Sequence, residues 1–206
     1  MNHELTGDSI VLQGWLDRLA AGDKSARAEL IKMAESRLTR LTRKMLRTFP
    51  LVHRWELTDD VFQNSVIRIH TALGEVTPST VSEFMKFAAF LIRRELIDLS
   101  RHYGGAQGMG RNHQSNTDLD AAVGSKSEFA KVEEQTRWTE FHEAVGNLPE
   151  DLRTVVDLIW YQEQPQSEVA TMLGVSARTV QRRWLEARIK LHSLLRAEPP
   201  LAFEEL

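Results

Sequence analysis

Residues 166–190 read QSEVATMLGVSARTVQRRWLEARIK, which combines one helix, a glycine-containing turn and a second helix rich in arginine. Val169, Ala170 and Leu173 are spaced to share the buried side of the first helix. Gly174 has no Cβ and therefore permits the positive φ that the turn requires, and Val175 fills the corner. The pattern predicts a helix-turn-helix.

The second helix of this pattern presents its polar side chains away from the core. Ser176 is the predicted N-cap, and Val180 and Trp184, four positions apart, face inward. The outward side chains are Arg178, Gln181 and Arg182. Such a helix fits a major groove, where arginine and glutamine offer paired donors to base edges and phosphates. The alternative is a surface hairpin with solvated arginines, but the turn, cap and spacing together favour DNA binding.

Composition excludes several classes of function. The 206 residues include no cysteine, so disulfides, thiolate nucleophiles and cysteine-ligated zinc sites are excluded. Hydrophobic residues make up 42%, but no run approaches the ~20 apolar residues of a membrane span, and a signal-peptide core is absent from the N-terminus. We therefore expect a cytoplasmic protein without membrane insertion.

Charge is divided unevenly along the chain, although the net charge is only −3. Segment 27–54 carries eight Lys and Arg against two Glu, and segment 176–196 carries six against one. Segment 128–163 has three against nine Asp and Glu. Two basic blocks and one acidic block suit a protein that meets DNA with some surfaces and a protein partner with others. Solvated helix faces are the alternative explanation for any single block.

Helical periodicity runs through most of the sequence and predicts an all-α fold of two helical domains joined by a flexible linker. In the first domain Pro50 ends a long helix, and Thr80 with Glu83 forms a predicted capping box. The predicted helices are 9–21, 25–48, 58–73, 80–103 and 129–145, followed by the stripe Leu152, Val155, Val156 and Ile159 and the helix-turn-helix. The predicted divisions are domain 1–103, linker 104–127, domain 128–196 and tail 197–206.

Four segments in this order resemble the extracytoplasmic-function (ECF) sigma factors of bacterial RNA polymerase, within the sigma-70 superfamily. LAAGDKSARAELIKMAESRLTRLTRKML (19–46) resembles the opening helices of region two, and TDDVFQNSVIRIHTAL (58–73) resembles its acidic helix. FMKFAAFLIRRELIDLSRHY (84–103) is similar to the promoter-melting helix. LPEDLRTVVDLIW (148–160) with the helix-turn-helix is similar to region four.

The resemblance implies a specificity subunit that holds the polymerase core and promoter DNA together and directs transcription initiation. The helix from Thr58 would dock on the clamp helices of the largest polymerase subunit. The implied polymerase-binding residues are Asp59, Asp60, Phe62 and Gln63. Because family members are commonly held by an anti-sigma factor, such a factor is a further expected partner.

The resemblance also divides promoter contacts between the domains. Recognition and melting of the minus-ten element would fall on helix 80–103 and the loop 74–79 before it, through exposed cations, while most of its phenylalanines face the core. Those cations are Lys86, Arg93, Arg94, Arg101 and His102. The minus-thirty-five element would meet the second helix of the helix-turn-helix, with Arg188 and Lys190 on phosphates. That upstream set is Ser176, Arg178, Thr179, Gln181, Arg182, Arg183, Arg188 and Lys190.

The sequence departs from the family pattern at individual positions. Arg94 stands where many members have Asn, Asn64 follows Gln63 in place of Glu, and Trp184 and Arg178 replace a Leu and a small residue. Base readout depends on single side chains in register, so the promoter sequence is not predicted.

Two other function classes compete with this interpretation. A DNA-binding transcription regulator that never joins the polymerase would share the helix-turn-helix, but the basic helical first domain lacks the pattern of a sensor. A helical enzyme would need a site constellation, and the sequence has no H-E-x-x-H, no Glu-x-x-His pair and no glycine-rich phosphate loop. We therefore expect no enzymatic activity, no cofactor and no metal site.

Overall fold

The computed structural model describes the backbone of residues 3–104 and 121–195 and the side chains of 7–103 and 130–195. All regular structure in these ranges is helical, which confirms the all-α prediction. The N-terminal half (3–104) contains α1 (His3–Ala20), α2 (Ala26–Leu46), α3 (Pro50–Trp55), α4 (Thr58–Ala72) and α5 (Val81–Gly104). The C-terminal half (121–195) contains α6 (Ala121–Gly146), α7 (Glu150–Val156), a π-helical turn (Asp157–Tyr161), α8 (Gln166–Leu173) and α9 (Ala177–Leu194).

Helix α2 is the central element of the N-terminal half. Leu30, Ala34, Leu38, Leu41 and Met45 recur at helical spacing and are buried, so one apolar stripe faces the core while the basic residues face outward. Helices α1, α4 and α5 pack around this stripe.

Pro50 has a different role from the predicted one. The sequence suggested only that this proline stops the preceding helix, whereas α2 already ends at Leu46 and Pro50 occupies the first turn of α3. Proline is favoured there because its missing N–H would lack an intrahelical partner in any case. Helix α3 spans six residues, which is too short for hydrophobic periodicity to reveal.

The predicted cap at the start of α5 is present in a shifted form. The backbone N–H of Glu83 donates to Thr80 Oγ1 at 3.1 Å, as expected for an N-cap. The Glu83 carboxylate accepts from the N–H and hydroxyl of Ser79, at 2.8 and 2.7 Å. These hydrogen bonds lower the pKa of Glu83 and fix the end of the loop that leads into α5.

The boundary of the predicted linker changes. Helix α6 begins at Ala121, so residues 121–127 are helical, and the expectation that the linker extends to 127 is wrong. The rest of the linker, 105–120, and the tail 197–206 lie outside the described residues.

The two halves pack against each other. Helix α6 contacts α3 and α5, and the π-helical turn contacts α2 and α5. Buried residues from both halves form one continuous hydrophobic cluster, in which Phe49 and Phe84 belong to the same core as Trp138 and Trp160. The division of the chain into two domains therefore remains a prediction.

Candidate nucleic-acid and polymerase interfaces

The helix-turn-helix adopts the predicted geometry. Gly174 ends α8 in the left-handed conformation with φ 62°, where a Cβ would be strained. The backbone N–H of Thr179 donates to the Ser176 hydroxyl at 3.1 Å, which caps α9. Val180 and Trp184 are buried, so the opposite face of α9 is directed to solvent.

The predicted upstream-element residues occupy the outer face and edge of α9. Arg178, Gln181, Arg182 and Lys190 are exposed, and Arg183 and Arg188 are half-buried. Arg183 lies at the edge, where its Nε is 3.4 Å from a carboxylate oxygen of Asp151 in α7. The Ser176 and Thr179 hydroxyls lie together at the first turn of the helix, 2.9 Å apart. The structure thus brings the set together on one helix.

Helix α5 presents a mixed cationic and aromatic face. Arg94 and Arg101 are exposed, and Arg101 also donates to Glu143 of α6 at 2.7 Å. Phe90, at 43% exposure, lies one turn from both Arg94 and half-buried Lys86. Phe90 is not among the residues predicted from the sequence, although its spacing of four from Lys86 and from Arg94 places it on their face.

His102 and Tyr103 end this helix beside α3. His102 is exposed, with its ring in edge contact with Tyr103 at 5.1 Å between centroids. The Tyr103 hydroxyl donates to the Glu56 carboxylate at 2.5 Å, which raises the pKa of Tyr103 to about 12. Trp55 of α3 stacks on Tyr103 with centroids 6.4 Å apart. These contacts hold the last turn of α5 against α3.

Arg93 does not lie on the exposed face of α5. Its residue exposure is 2%, and its guanidinium pairs with the Asp157 carboxylate in the π-helical turn. The guanidinium also lies over the Tyr161 ring, with Cζ 4.6 Å from the centroid. The expectation that this arginine is exposed is therefore wrong for this arrangement, because the C-terminal half covers it.

A chain of hydrogen bonds continues from Arg93 through the C-terminal half and back to the N-terminal half. Arg93 Nε donates to the Tyr161 hydroxyl at 3.2 Å, and that hydroxyl lies 2.6 Å from Nδ1 of His142. His142 Nε2 lies 2.7 Å from Oγ1 of Thr48, which itself donates to the carbonyl of Met45 at 2.7 Å. We call this chain, together with Asp157, the buried relay.

The donors of this relay fix the tautomer of His142. The Thr48 hydroxyl donates its only proton to the carbonyl of Met45, so its oxygen must accept from His142 Nε2–H. Nδ1 is then the acceptor and receives the Tyr161 hydroxyl proton. Burial, with repulsion from Arg93, holds the pKa of His142 well below its usual value, and burial raises the pKa of Tyr161. Both groups are therefore neutral, as the relay requires.

Aromatic rings enclose His142 on the remaining sides. Its ring stacks on Phe49 of the N-terminal half at 4.7 Å between centroids. Trp138, Phe141 and Trp160 of the C-terminal half surround it at 5.8, 5.4 and 6.1 Å. His142 is not among the residues predicted from the sequence, because a histidine on an apolar helix face gives no local signal of its partners.

The predicted polymerase-binding residues lie on α4. Asp59, Asp60 and Gln63 are exposed, while Phe62 is half-buried against the core. Asp60 also accepts the backbone N–H of Leu57 at 3.2 Å, so it caps this helix besides being exposed. The buried side is formed by Val61, Ser65 and Ile69.

Exposed apolar side chains flank this acidic face. Leu57 and Ile67 are 72% and 65% exposed, before and after the acidic first turn. An exposed face that mixes carboxylates with large apolar side chains can bind a basic and apolar partner helix.

The first basic block lies on α2. A shallow groove of about 470 Å³ runs along this helix. The residues that line it are Lys32, Met33, Glu35, Ser36, Thr39, Arg40 and Arg43.

The described residues contain neither a metal-binding cluster nor a membrane-spanning helix. Across residues 3–104 and 121–195, no group of three or more His, Asp and Glu is arranged to hold a metal ion. In the same part of the chain, no helix is both long and apolar enough to cross a bilayer.

Comparison with known proteins identifies the family. The family described as ECF sigma factor matches residues 11–197. A solved structure of CnrH in complex with the cytosolic domain of CnrY is similar at 21% identity and a TM-score of 0.37, covering 88% of this chain and 95% of CnrH. A search of curated proteins found no match. The family match spans both halves of the chain, and we conclude that this protein belongs to the ECF sigma factor family.

Proposed function

We propose that this ECF sigma factor binds the core of RNA polymerase in the cytoplasm and directs it to promoters, leaving the chemistry of RNA synthesis to the polymerase. Its role in transcription initiation follows from the family. The observation that carries the finer proposal is the exposed face of α9, where Arg178, Gln181 and Arg182 stand together on a helix held by a capped turn.

In this proposal α9 reads the minus-thirty-five element in the major groove. Arg182 and Gln181 lie where a groove-bound helix presents side chains to base edges, and each offers two donors or a donor and acceptor pair. Lys190 lies two turns further along, is exposed, and would bind phosphate together with Arg188. Phosphate contacts fix the register in which the bases are read.

Helix α5 would act on the minus-ten element. Melting needs a surface that captures unstacked bases and cations that hold the single-strand backbone. Phe90 supplies an exposed ring, and Lys86 and Arg94 flank it by one turn on each side. Arg101 and His102 would extend the cationic surface toward the end of the helix.

Helix α4 would dock on the clamp helices of the largest polymerase subunit. Asp59 and Gln63 are exposed one turn apart and are free of the capping role of Asp60. Leu57 and Ile67 would add apolar contact at the two ends of this face. Polymerase association is the property that separates a sigma factor from a regulator that only binds DNA.

The test is run-off transcription with purified core polymerase and a library of genomic fragments. The wild-type chain should direct initiation at a defined set of fragments, whose sequences would also give the promoter motif. The double variant Asp59→Ala with Gln63→Ala should reduce association with core enzyme while its helical content is unchanged. Glu133→Ala, an exposed acidic residue on α6, is the matched control and should behave as wild type.

Two results would decide against the proposal. If core enzyme shows no association with the wild-type chain although the chain binds DNA fragments, the regulator that acts without polymerase is correct. If neither polymerase nor DNA is bound, both functions are wrong.

A further inference from the structure

The surface that joins the two halves is built from paired polar groups as well as apolar ones. Besides the buried relay, Gln135 of α6 accepts the backbone N–H of Leu51 at 2.9 Å and donates to Ser100 of α5 at 2.9 Å. Lys44 of α2 donates to Glu163 at 2.8 Å, just before α8. The C-terminal half therefore recognises the N-terminal half through specific hydrogen bonds.

This contact buries a residue that the sequence assigned to promoter DNA. Arg93, expected among the minus-ten contacts, is 2% exposed and pairs with Asp157. Its Nη1 is buried without a hydrogen-bond partner among the described residues. Because a buried donor without a partner costs free energy, this unpaired nitrogen makes the closed arrangement less stable than full pairing of the guanidinium would.

The closed arrangement is also too small to reach two promoter elements at once. Elements centred at minus ten and minus thirty-five are about 25 base pairs apart, or roughly 85 Å at about 3.4 Å per pair. A folded chain of 206 residues has a radius of gyration of about 17 Å, which corresponds to a diameter of about 45 Å. The halves must separate before both elements are bound.

We propose that the contact between the halves is an autoinhibitory latch, closed by Arg93, Asp157, Tyr161, His142 and Thr48, which must open before the protein binds a promoter. This inference rests on the proposed function, because it concerns how the two promoter-binding faces become available together. Opening separates Arg93 from Asp157 and exposes the aromatic rings around His142. Polymerase and promoter must supply that free energy through their higher affinity for the open form.

Protonation of His142 weakens the latch. The relay uses Nδ1 as an acceptor, and a proton there would displace the Tyr161 hydroxyl proton and add a second cation near Arg93. The charged and titratable groups that join or adjoin the relay include Arg93 of α5, Asp157 and Tyr161 of the π-helical turn and Lys44 of α2, which lies over the Trp160 ring and is paired with Glu163. The carboxylate within the relay, that of Asp157, is already paired with Arg93.

The test is a reversible cross-link between the halves. The chain has no cysteine, and the hydroxyl oxygens of Ser100 in α5 and Thr139 in α6 are 2.8 Å apart, within reach of a disulfide. The full-length double variant Ser100→Cys with Thr139→Cys, oxidised and verified on a non-reducing gel, should lose at least tenfold in run-off transcription on fragments that the wild-type chain selects. Dithiothreitol should restore it, and each single variant should be insensitive to oxidation.

A fully oxidised double variant that transcribes as well as its reduced form would overturn the latch. If the wild-type chain directs no transcription, the proposed function fails, and the latch is judged instead by X-ray scattering. Asp157→Asn should then raise the radius of gyration above the wild-type value while helical content is retained. Glu143→Gln, which removes an exposed ion pair between the halves, with Arg101, should leave the radius of gyration unchanged. An Asp157→Asn protein as compact as wild type refutes the latch. If Asp157→Asn loses its helices, Tyr161→Phe is measured in its place, and the same increase in the radius of gyration is expected.

Discussion

Helices α5 and α9 each carry an arginine that the sequence assigned to DNA and that the structure places beside a carboxylate. In α9, Arg183 and Asp151 are 3.4 Å apart at the surface of one half, with side-chain exposures of 26% and 52%. In α5, Arg93 and Asp157 are both buried between the two halves. The surface pair contributes little to stability, whereas the buried pair makes the arrangement of the halves depend on one carboxylate.

The largest expected effect comes from neutralising that carboxylate. Asp157→Asn leaves the Arg93 guanidinium buried without a counter-charge, and we expect the free energy of unfolding at pH 7 to fall by about 3–5 kcal/mol. Urea denaturation followed by circular dichroism measures this. Asp151→Asn is the matched control and should cost less than about 1 kcal/mol, because its pair is solvated. Equal losses in the two variants would mean that burial does not distinguish the pairs.

How well each helix could be predicted from the sequence depends on whether its neighbours are close to it in the chain. The neighbours of α9 come from the residues next to it, so Gly174, Ser176, Val180 and Trp184 were placed correctly from their spacing alone. The acidic first turn of α4 and the start of α5 followed from the same kind of short-range chemistry.

Long-range contacts could not be predicted in this way. Arg93 and Asp157 are 64 positions apart, and Thr48 and His142 are 94 apart. Helical periodicity describes only which residues share a face, so Arg93 fell on the polar side of α5 and was expected to be exposed. Whether a polar face meets solvent or another part of the chain depends on tertiary packing, which a single sequence does not reveal.

The next effect concerns the DNA face of α9. Arg182→Ala should weaken binding to a selected promoter by about 1–3 kcal/mol, the value of a good bidentate contact to a base. Fluorescence anisotropy with the polymerase–sigma complex measures it. Arg182→Lys keeps the charge but loses the paired donors, so it should remain weak on the selected promoter and nearly normal on unrelated DNA. A lysine variant that binds the promoter as wild type does would assign Arg182 to phosphate contact.

An effect of similar size is expected on α5, but at a later step. Phe90→Ala should reduce promoter opening by about 1–3 kcal/mol, the value of stacking one base on an aromatic ring, with little change in binding to the closed duplex. The fluorescence of 2-aminopurine in the minus-ten element reports opening. Phe90→Tyr should restore it, because the ring is retained. Loss of duplex binding in the alanine variant would contradict a role confined to the melted strand.

Acid should shift the equilibrium between closed and open forms. Burial holds the pKa of His142 in the closed form far below its ordinary value of 6.5. Below about pH 6.5 the open form takes up a proton that the closed form does not, so closure is favoured above that pH and is lost as the pH falls. Between pH 7.5 and pH 5.5 we expect the open fraction to rise about tenfold, or about 1.4 kcal/mol.

Energy transfer between dyes can measure this shift, because the chain has no cysteine of its own to label. Dyes at Lys32→Cys on α2 and Glu133→Cys on α6 are on exposed positions of the two halves. His142→Gln should abolish the pH dependence in this range. Persistence of the full shift in that variant would refute His142 as its source. Asp157 could not produce it, because burial raises its pKa in the closed form and its protonation would favour closure as the pH falls.

The smallest expected effect is at the start of α9. Ser176→Ala removes the hydroxyl that accepts the Thr179 N–H, and loss of such a cap costs about 1 kcal/mol. Urea denaturation should show this loss without any change in the pH-dependent opening, because the Ser176 hydroxyl is hydrogen-bonded to Thr179 within the C-terminal half. Ser176→Asp, which can accept the same hydrogen bond, should recover the stability while repelling DNA phosphates. If Ser176→Ala instead altered opening, α9 would be coupled to the contact between the halves, and the independence of the two helices would be wrong.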